Sequence, residues 1–333
     1  MKKLINNPDN VVKEAMEGME KAHGDILKIN YDPAFIARKD SPKKGKVAVI
    51  SGGGSGHEPM HGGLVGFGML DAACPGAVFT SPTPDQMEAA TKAVNGGAGV
   101  LHLVKNYTGD VMNFQMAADI CASEGIKVES IIIDDDVAVK DSLYTAGRRG
   151  VGSTVLTEKI IGSSAERGDN LETVVKFAKY CKDNGRSMGM ALTSCALPSV
   201  GKPIFEIGDE DIEMGVGIHG EPGRERMKIK PANELVDMMI EPVLSDISLK
   251  NGDEIIMMLN GMGGTPLIEL YLLFNRAVEV ASKKGIKTVR CLVGNYITSL
   301  EMQGFSITVM KANADILKLW DAPVHTAAIR WGI

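Results

Sequence analysis

The apolar and polar positions along the chain follow two patterns that predict strands and helices in turn. Short runs rich in valine, isoleucine, leucine and methionine indicate buried strands, predicted at 46–51, 99–105, 127–133, 188–193, 212–218, 253–260, 288–293 and 305–311. Apolar residues at helical spacing lie between these runs and predict helices at 10–22, 84–95, 113–124, 171–184, 233–243 and 267–284. Repeated strand–loop–helix units are typical of parallel strands joined by crossover helices, and the lack of polar alternation predicts sheets covered on both faces.

The length of the chain predicts more than one domain. The sequence has 333 residues, whereas a single domain usually has about 100–200. A helix that ends in Asn-Gly before a new strand marks a boundary near 184–186. We therefore predict the α/β fold class, with two α/β domains that each hold a largely parallel or mixed sheet covered by helices. The predicted domains are 1–185, with a glycine loop and Asp110, and 186–333, with His219.

Composition and charge exclude several classes of protein. The 36 basic and 42 acidic side chains give a formal net charge of −6, whereas nucleic-acid-binding proteins usually carry a basic surplus. The five cysteines are scattered and form no CxxC motif, which predicts reduced thiols in a cytoplasmic protein and no metal site. The amino terminus lacks the apolar stretch of a signal peptide, and no apolar run reaches the roughly 18 residues of a membrane span.

The glycine-rich segment 51–58, SGGGSGHE, follows the first predicted strand. We interpret residues 52–56 as a tight loop whose backbone N–H groups can face a phosphate or an oxyanion. His57 stands where the dinucleotide pattern GxGxxG needs its third glycine and where a P-loop needs lysine, so neither pattern is met. A glycine turn that serves only the fold is the alternative. His57 favours a ligand site, because α/β proteins bind ligands at the carboxyl ends of strands, and His61 is a candidate to line the same pocket.

Lys105 and Asp110 flank the exit of the next predicted strand, in the sequence LVKNYTGD at 103–110. A carboxylate at this place can act as a general base if it reaches a substrate hydroxyl. The alternative is that Asp110 caps a helix that begins near Val111, and the local sequence by itself favours this cap. The two roles can coexist, so Asp110 stays a candidate catalytic residue.

His219 is a single histidine between glycines, in the sequence GVGIHGEPG at 215–223. The glycines on both sides let a ligand approach the ring closely. A neutral imidazole is the main form at neutral pH and can attack a carbonyl carbon. The alternative is a hydrogen-bonded structural histidine, although the glycine-rich setting argues against a packed core position.

Four segments occur in the order SGGGSGHEP, VKNYTGDVMNF, GIHGEPG and LNGMGGTP. In this combination the chain resembles the substrate-binding subunits of dihydroxyacetone kinases, and the resemblance covers essentially the whole sequence. It extends to the KLINNP start and to RRGVGSTVL at 148–156. The resemblance implies a fold of two α/β domains and a homodimer.

The resemblance also implies a role for each matching residue. His219 would attack the ketone carbon of dihydroxyacetone through Nε2 to give a hemiaminal, a bond that glycerol cannot form because it has no carbonyl. His57 and Asp110 would flank the hydroxyl to be phosphorylated, both as orienting groups and one of them as the proton acceptor. Which of the two takes the proton stays open. The remaining contacts with the ketone would come from Lys105, Gly53, Gly54, Ser55 and Gly56.

Cofactors and partners follow from the same resemblance. This chain would bind no cofactor or metal, and ADP or ATP with Mg²⁺ would lie on a separate nucleotide-binding L subunit. In the phosphotransferase type, a third M subunit would restore the phosphoryl group from phosphoenolpyruvate by a phosphohistidine relay. The sequence leaves open whether the ultimate donor is phosphoenolpyruvate or ATP, and which other short ketones or aldehydes are accepted.

Two other functions compete with this interpretation. Some relatives of the subunit bind dihydroxyacetone but act as coactivators of a transcription regulator. The joint presence of His57 and Asp110 favours the enzyme, because a sensor needs only His219. A Rossmann-type oxidoreductase needs the glycine that His57 replaces, although Asp71 lies at a suitable distance for its acidic residue.

Overall fold

The computed structural model describes residues 2–142 and 145–333 and has an α/β fold with mixed sheets covered by helices, which confirms the predicted class. The α-helices are α1 (Val11–His23), α2 (Pro84–Val94), α3 (Thr108–Ser123), α4 (Ser153–Glu166), α5 (Leu171–Asn184), α6 (Ala232–Ser245), α7 (Leu267–Lys283) and α8 (Ala314–Asp321). The strands of the first half are β1 (Leu27–Tyr31), β2 (Ala34–Arg38), β3 (Ala48–Ser55), β4 (Gly66–Phe67), β5 (Ala72–Val78), β6 (Val100–Lys105) and β7 (Val128–Ile133). The later strands are β8 (Gly185–Ala191), β9 (Asp211–Met214), β10 (Glu225–Lys228), β11 (Glu254–Gly261), β12 (Lys287–Gly294), β13 (Gly304–Ala312), β14 (Val324–Thr326) and β15 (Arg330–Trp331).

The first sheet has the strand order β1-β2-β5-β3-β6-β7. Its neighbours β5, β3, β6 and β7 are parallel, and β1 and β2 pair antiparallel at one edge. Alternate residues of β3 enter different cores: Ala48 and Ile50 pack with α2 and α3, whereas Val49 packs with α4 and α5. Both faces are therefore apolar, which explains why these strands show no polar alternation in the sequence.

The second sheet has the strand order β10-β9-β8-β13-β11-β12. Its β11 and β12 are parallel, whereas the other described neighbours pair antiparallel. Helices α6 and α7 cover one face around Ile255, Met257 and Leu259, and the other face joins the core of the first sheet through Ile256 and Met258. The parallel strands with crossover helices that the sequence predicts are therefore present in the first sheet and, among the described strands of the second sheet, only between β11 and β12.

Helix α4 lies between the two sheets and has no counterpart among the predicted helices. It contacts β3 and β6 on one side and β8 and β13 on the other. All its residues from Ser153 to Ala165 are buried. A helix covered on every side needs no polar face, so it lacks the 3.6-residue period by which helices are recognised in a sequence.

The predicted domain boundary at residue 185 stays a prediction. The first sheet ends with β7 at Ile133, and the second begins with β8 at Gly185. The carboxyl-terminal strand β14, however, pairs with β4 from the first half. Within the described parts of the chain, no helix has both the length and the apolar character needed to cross a membrane.

Three local predictions differ from the structure. The segment Gly52–Gly56 is largely strand rather than a tight loop, because β3 continues to Ser55 beside β5. Glycine permits this pairing, since a Cβ on Gly52 would lie 2.7 Å from the carbonyl oxygen of Cys74, its partner on β5. The strand predicted to end at His219 ends at Met214, and α3 begins at Thr108 rather than near Val111.

Candidate functional site

The four charged or titratable site residues predicted from the sequence lie together at one edge of the first sheet. His57 follows β3, Lys105 ends β6, and Asp110 lies in the first turn of α3. The rings of His57 and His219 are 4.7 Å apart between centroids, although His219 belongs to the turn after β9. Because β3 and β6 are parallel neighbours, their carboxyl ends meet, and His219 closes the site from the second half of the chain.

His219 is held so that one ring nitrogen faces a carboxylate. Its Nδ1 lies 3.1 Å from Oε1 of Glu221, and its backbone N–H donates to Oε2 of Glu221 at 2.9 Å. A carboxylate oxygen accepts, so Nδ1 carries the proton and Nε2 keeps its lone pair. The side chain is 18% exposed, and the rings of Phe79 and Tyr107 contact it edge-on.

Glu221 is a site residue that the sequence analysis did not single out. It is 2% exposed. Burial by itself would raise the pKa of Glu221, but its hydrogen bond with His219 and the nearby Arg149 lower this pKa to about 2. The carboxylate is therefore ionised and acts as a fixed acceptor for Nδ1. Its position two residues after a histidine in a glycine-rich turn is the signal that could have identified it.

His57 also presents a free ring nitrogen. Its Nδ1 lies 2.7 Å from the backbone carbonyl of Thr298, which can only accept, so the proton is on Nδ1. Its Nε2 is buried and has no hydrogen-bond partner within the described structure. Burial lowers the pKa of His57 well below its usual value. A neutral ring stacked on Phe79 thus offers a lone pair inside the site.

Asp110 and Lys105 form the second polar element of the site. Lys105 Nζ lies 3.6 Å from Oδ2 of Asp110, and both side chains are almost completely buried. Oδ1 of Asp110 is buried without a hydrogen-bond partner in the part of the chain that the structure describes. The prediction that Asp110 caps α3 is wrong, because Tyr107 is the N-cap and Asp110 lies within the first turn. Its carboxylate is therefore free to accept a hydrogen bond from a ligand.

The glycine-rich strand has its own internal contacts. Gly53 lies against Lys105, since a Cβ at this position would collide with Nζ. The Ser55 hydroxyl donates to the Gly76 carbonyl at 2.7 Å, and the Gly56 N–H donates to the Glu58 carboxylate at 2.9 Å. The predicted contacts of Gly53, Gly54, Ser55 and Gly56 with a ketone stay predictions.

A pocket lies beside this strand and does not include the charged or titratable side chains of the predicted site. It is lined by α1, by the glycine-rich strand and by His61. None of His57, Lys105, Asp110 or His219 lines it. These four side chains are therefore not part of this pocket.

The unpartnered atoms define what the site can do chemically. His219 offers Nε2 as a nucleophile, while His57 Nε2 and Asp110 Oδ1 are two acceptors that can take a proton. Among the described residues, no group of three or more histidine, cysteine or carboxylate side chains is arranged to hold a metal ion. The residues present fit addition to a carbonyl followed by transfer of a group to a hydroxyl.

Known proteins share this sequence and this fold. Residues 17–328 match the family model described as the Dak1 domain. The chain is 47% identical to "PEP-dependent dihydroxyacetone kinase, dihydroxyacetone-binding subunit DhaK" of Escherichia coli strain K12, over 100% of both chains. A crystal structure of the dihydroxyacetone kinase of C. freundii superimposes with a TM-score of 0.88 and 36% identity, covering 98% of this chain and 60% of that one.

A second solved structure has a different role. The dihydroxyacetone kinase operon co-activator Dha-DhaQ superimposes with a TM-score of 0.89 and 30% identity, and covers 95% of this chain and 96% of that one. Similarity at this level over nearly the whole chain extends well beyond a shared fold. The family match and the full-length similarity to the Escherichia coli subunit show that this chain belongs to the Dak1 domain family of dihydroxyacetone-binding kinase subunits.

Proposed function

We propose that this chain is the dihydroxyacetone-binding subunit of a dihydroxyacetone kinase, and that it holds the ketone as a hemiaminal on His219. One observation carries this proposal: Glu221 binds Nδ1 of His219 and leaves Nε2 with its lone pair beside the free Nε2 of His57. The name of the Escherichia coli relative, which is similar along its full length, supports the choice of ketone.

The nucleophile of the covalent step comes from the site, and the proton comes from the solvent. Nε2 of His219 forms a bond to the carbonyl carbon, the π electrons move to the carbonyl oxygen, and this oxygen takes up a proton from the solvent to become a hydroxyl. The imidazole ring gains positive charge, which the ionised Glu221 at Nδ1 offsets. The bond fixes the ketone in one orientation, so that the later transfer to its hydroxyl becomes effectively intramolecular. Glycerol cannot be held in this way because it has no carbonyl.

Transfer to the terminal hydroxyl requires a proton acceptor, and two are present. His57 Nε2 and Asp110 Oδ1 are both buried and unpartnered within the described residues. Lys105 would hydrogen-bond the ketone beside Gly53. We propose that His57 and Asp110 orient the hydroxyl and that one of them removes its proton during transfer.

We further propose that a partner supplies the phosphoryl group. The partner would be a nucleotide-binding L subunit that carries ADP or ATP with Mg²⁺, fed from phosphoenolpyruvate through an M subunit. The Escherichia coli relative is named a subunit and PEP-dependent, and the C. freundii kinase is longer than the part that this chain covers. The five free thiols are in keeping with a cytoplasmic assembly.

The test is reconstitution of the reaction. The chain is mixed with dihydroxyacetone and an L subunit, and either ATP or the phosphoenolpyruvate relay is added; dihydroxyacetone phosphate is then measured. We expect product only when the chain, an L subunit and one donor system are present together, with the phosphoenolpyruvate relay as the effective donor. As a control, the L subunit must be active with the substrate-binding subunit of another kinase. If the chain then binds the ketone but no product forms, the proposed kinase function is refuted.

The similarity to the co-activator structure favours a second candidate, a sensor that binds dihydroxyacetone and activates a transcription regulator. Such a sensor would bind the ketone on His219, and His57 and Asp110 would have no catalytic role in it. It would bind its regulator only when the ketone is present. Product formation in the reconstituted reaction therefore separates the two candidates, and a regulator could still be an additional partner of an active kinase.

We propose that the chain forms a homodimer through α7 and β12. Strand β12 is an edge of the second sheet, so one side of its backbone is unpaired within the described chain. The neighbouring helix α7 exposes a cluster of apolar side chains, at Leu267, Ile268, Tyr271 and Leu272. An edge strand next to an apolar helix face can pair with its own copy about a twofold axis, which buries both features at once.

Replacing Ile268, whose exposed fraction is 79%, with glutamate is expected to shift the protein from dimer to monomer. Two negative charges would be brought close together at a twofold interface. Light scattering after size-exclusion chromatography measures the mass, with Met112→Glu, an exposed methionine on α3, as the matched control. A wild-type monomer, or a dimer that survives Ile268→Glu and Leu272→Glu together, would contradict this interface.

A further inference from the structure

Behind the proposed ketone site, Lys105 leads to two buried polar side chains, His61 and Glu158, that the chemistry described so far does not use. Lys105 Nζ lies 2.8 Å from Nε2 of His61, and Nδ1 of His61 lies 2.6 Å from Oε1 of Glu158. The exposed fractions are 1% for Lys105, 6% for His61 and 0% for Glu158. The three residues come from the end of β6, from the segment after β3 and from the middle of α4.

The hydrogen bonds of this series have only one consistent direction when Lys105 is charged. An ammonium group has three donors and no acceptor, so Nε2 of His61 must accept from Lys105. The ring proton then lies on Nδ1 and is donated to Glu158, whose Oε1 accepts whether or not the carboxyl is protonated. Glu158 thus fixes the tautomer in which His61 can hold Lys105.

The same bonds decide which way Lys105 points. One hydrogen of its ammonium group goes to the carbonyl of Gly52 at 2.9 Å, and a second goes to His61. The third is left for the side of Asp110, whose Oδ2 lies 3.6 Å away. That side is also where Gly53 faces the ammonium group without a side chain between them.

We propose that His61 and Glu158 are positioning residues, which direct the free donor of Lys105 toward the hydroxyl of the bound ketone. This inference rests on the proposed function and adds two residues to its substrate site. The arrangement is costly to bury: burial lowers the pKa of His61 well below its usual value and raises the pKa of Glu158 to about 8. Oε2 of Glu158 has no partner within the described structure. Clusters of this kind are concentrated at functional sites.

A purely structural role for His61 and Glu158 would lead to a different experimental result. If His61 and Glu158 served only to satisfy each other inside the core, their loss would lower the melting temperature and leave the affinity for the ketone unchanged. If they position Lys105, the affinity falls as well, and it recovers with any side chain that restores the acceptor for Nζ.

The experiment measures the Kd of dihydroxyacetone on the full chain by calorimetry, together with the melting temperature. His61→Leu is expected to weaken binding at least about tenfold, because a hydrogen bond from a charged group loses its partner in a buried site. His61→Gln is the matched control: its side-chain oxygen can replace Nε2 as the acceptor, so its Kd is expected within about threefold of wild type. Glu158→Leu is expected to weaken binding like His61→Leu.

Nitrogen-15 NMR of the histidine rings adds a readout that stability does not affect. In the wild type the His61 ring is expected to carry its proton on Nδ1, and Glu158→Leu is expected to remove that preference. A His61→Leu protein that binds the ketone as tightly as wild type, or a His61→Gln protein as weak as His61→Leu, would overturn the positioning role alone. A wild-type protein that binds no dihydroxyacetone would overturn the proposed function and this inference with it.

Discussion

Replacing His219 with alanine is expected to abolish the covalently held ketone and to lower kcat/KM of the reconstituted kinase at least about a thousandfold. The bond to Nε2 is what holds the ketone in one orientation, and a small polar ligand has few other contacts by which to bind tightly. Intact-mass measurement under gentle ionisation, after incubation with dihydroxyacetone, is expected to show the added ketone on wild type and none on His219→Ala.

The control for this substitution is His23→Ala, which removes a histidine at the end of α1, far along the chain from the site. Its ketone adduct and its rate are expected to equal those of wild type. Equal ketone binding by wild type and His219→Ala, or no adduct on either, would return His219 to the role of a structural histidine held by Glu221.

Asp110→Asn is expected to retain the ketone adduct but to lower kcat by about a hundredfold or more, as is typical when a general base is lost. The asparagine side chain has the same shape, so the ketone pocket keeps its form. The change removes the charge that faces Lys105 and one of the two proton acceptors. Intact mass measures the adduct, and steady-state kinetics of the reconstituted kinase measures kcat.

Parallel measurements on His57→Gln show which acceptor takes the proton. An ordinary histidine, with a pKa of about 6.5, would gain a proton as the pH falls from 8 to 6. Because burial holds the pKa of His57 well below that value, its ring stays neutral over this range. If His57 is the base, kcat should show no loss of activity from its protonation as the pH falls from 8 to 6. A kcat for Asp110→Asn close to that of wild type would remove Asp110 from the proton transfer and leave His57 as the base.

Much of the architecture could be predicted from local sequence. Helix α5 was predicted at 171–184 and is observed as Leu171–Asn184, and the predicted helices that became α2 and α7 are also close to their observed bounds. Their apolar faces repeat with the helical period, and neighbouring side chains set this period without help from the rest of the fold. The fully buried α4 could not be found in this way, because both sheets cover it and no polar face remains.

The candidate site could likewise be predicted only in part from local sequence. Short motifs at strand exits were sufficient to single out His57, Lys105, Asp110 and His219, because glycine-rich turns after strands are where backbone and side chains can meet a ligand. The motifs could not show that the glycine-rich segment is itself a strand. That outcome depends on β5, which pairs with it from Gly52 to Gly54 and beyond.

By itself, the sequence determined the α/β class, the alternation of strands and helices and the candidate site residues, since these follow from residue types and spacing within short segments. Only the tertiary structure decided which ring nitrogen carries the proton in His57 and in His61. The carbonyl that holds His57 belongs to Thr298, 241 positions away, and the carboxylate that holds His61 belongs to Glu158, 97 positions away. The tautomer of each of these two rings depends on the acceptor that the fold places against it, and the local sequence specifies that neighbour for neither ring.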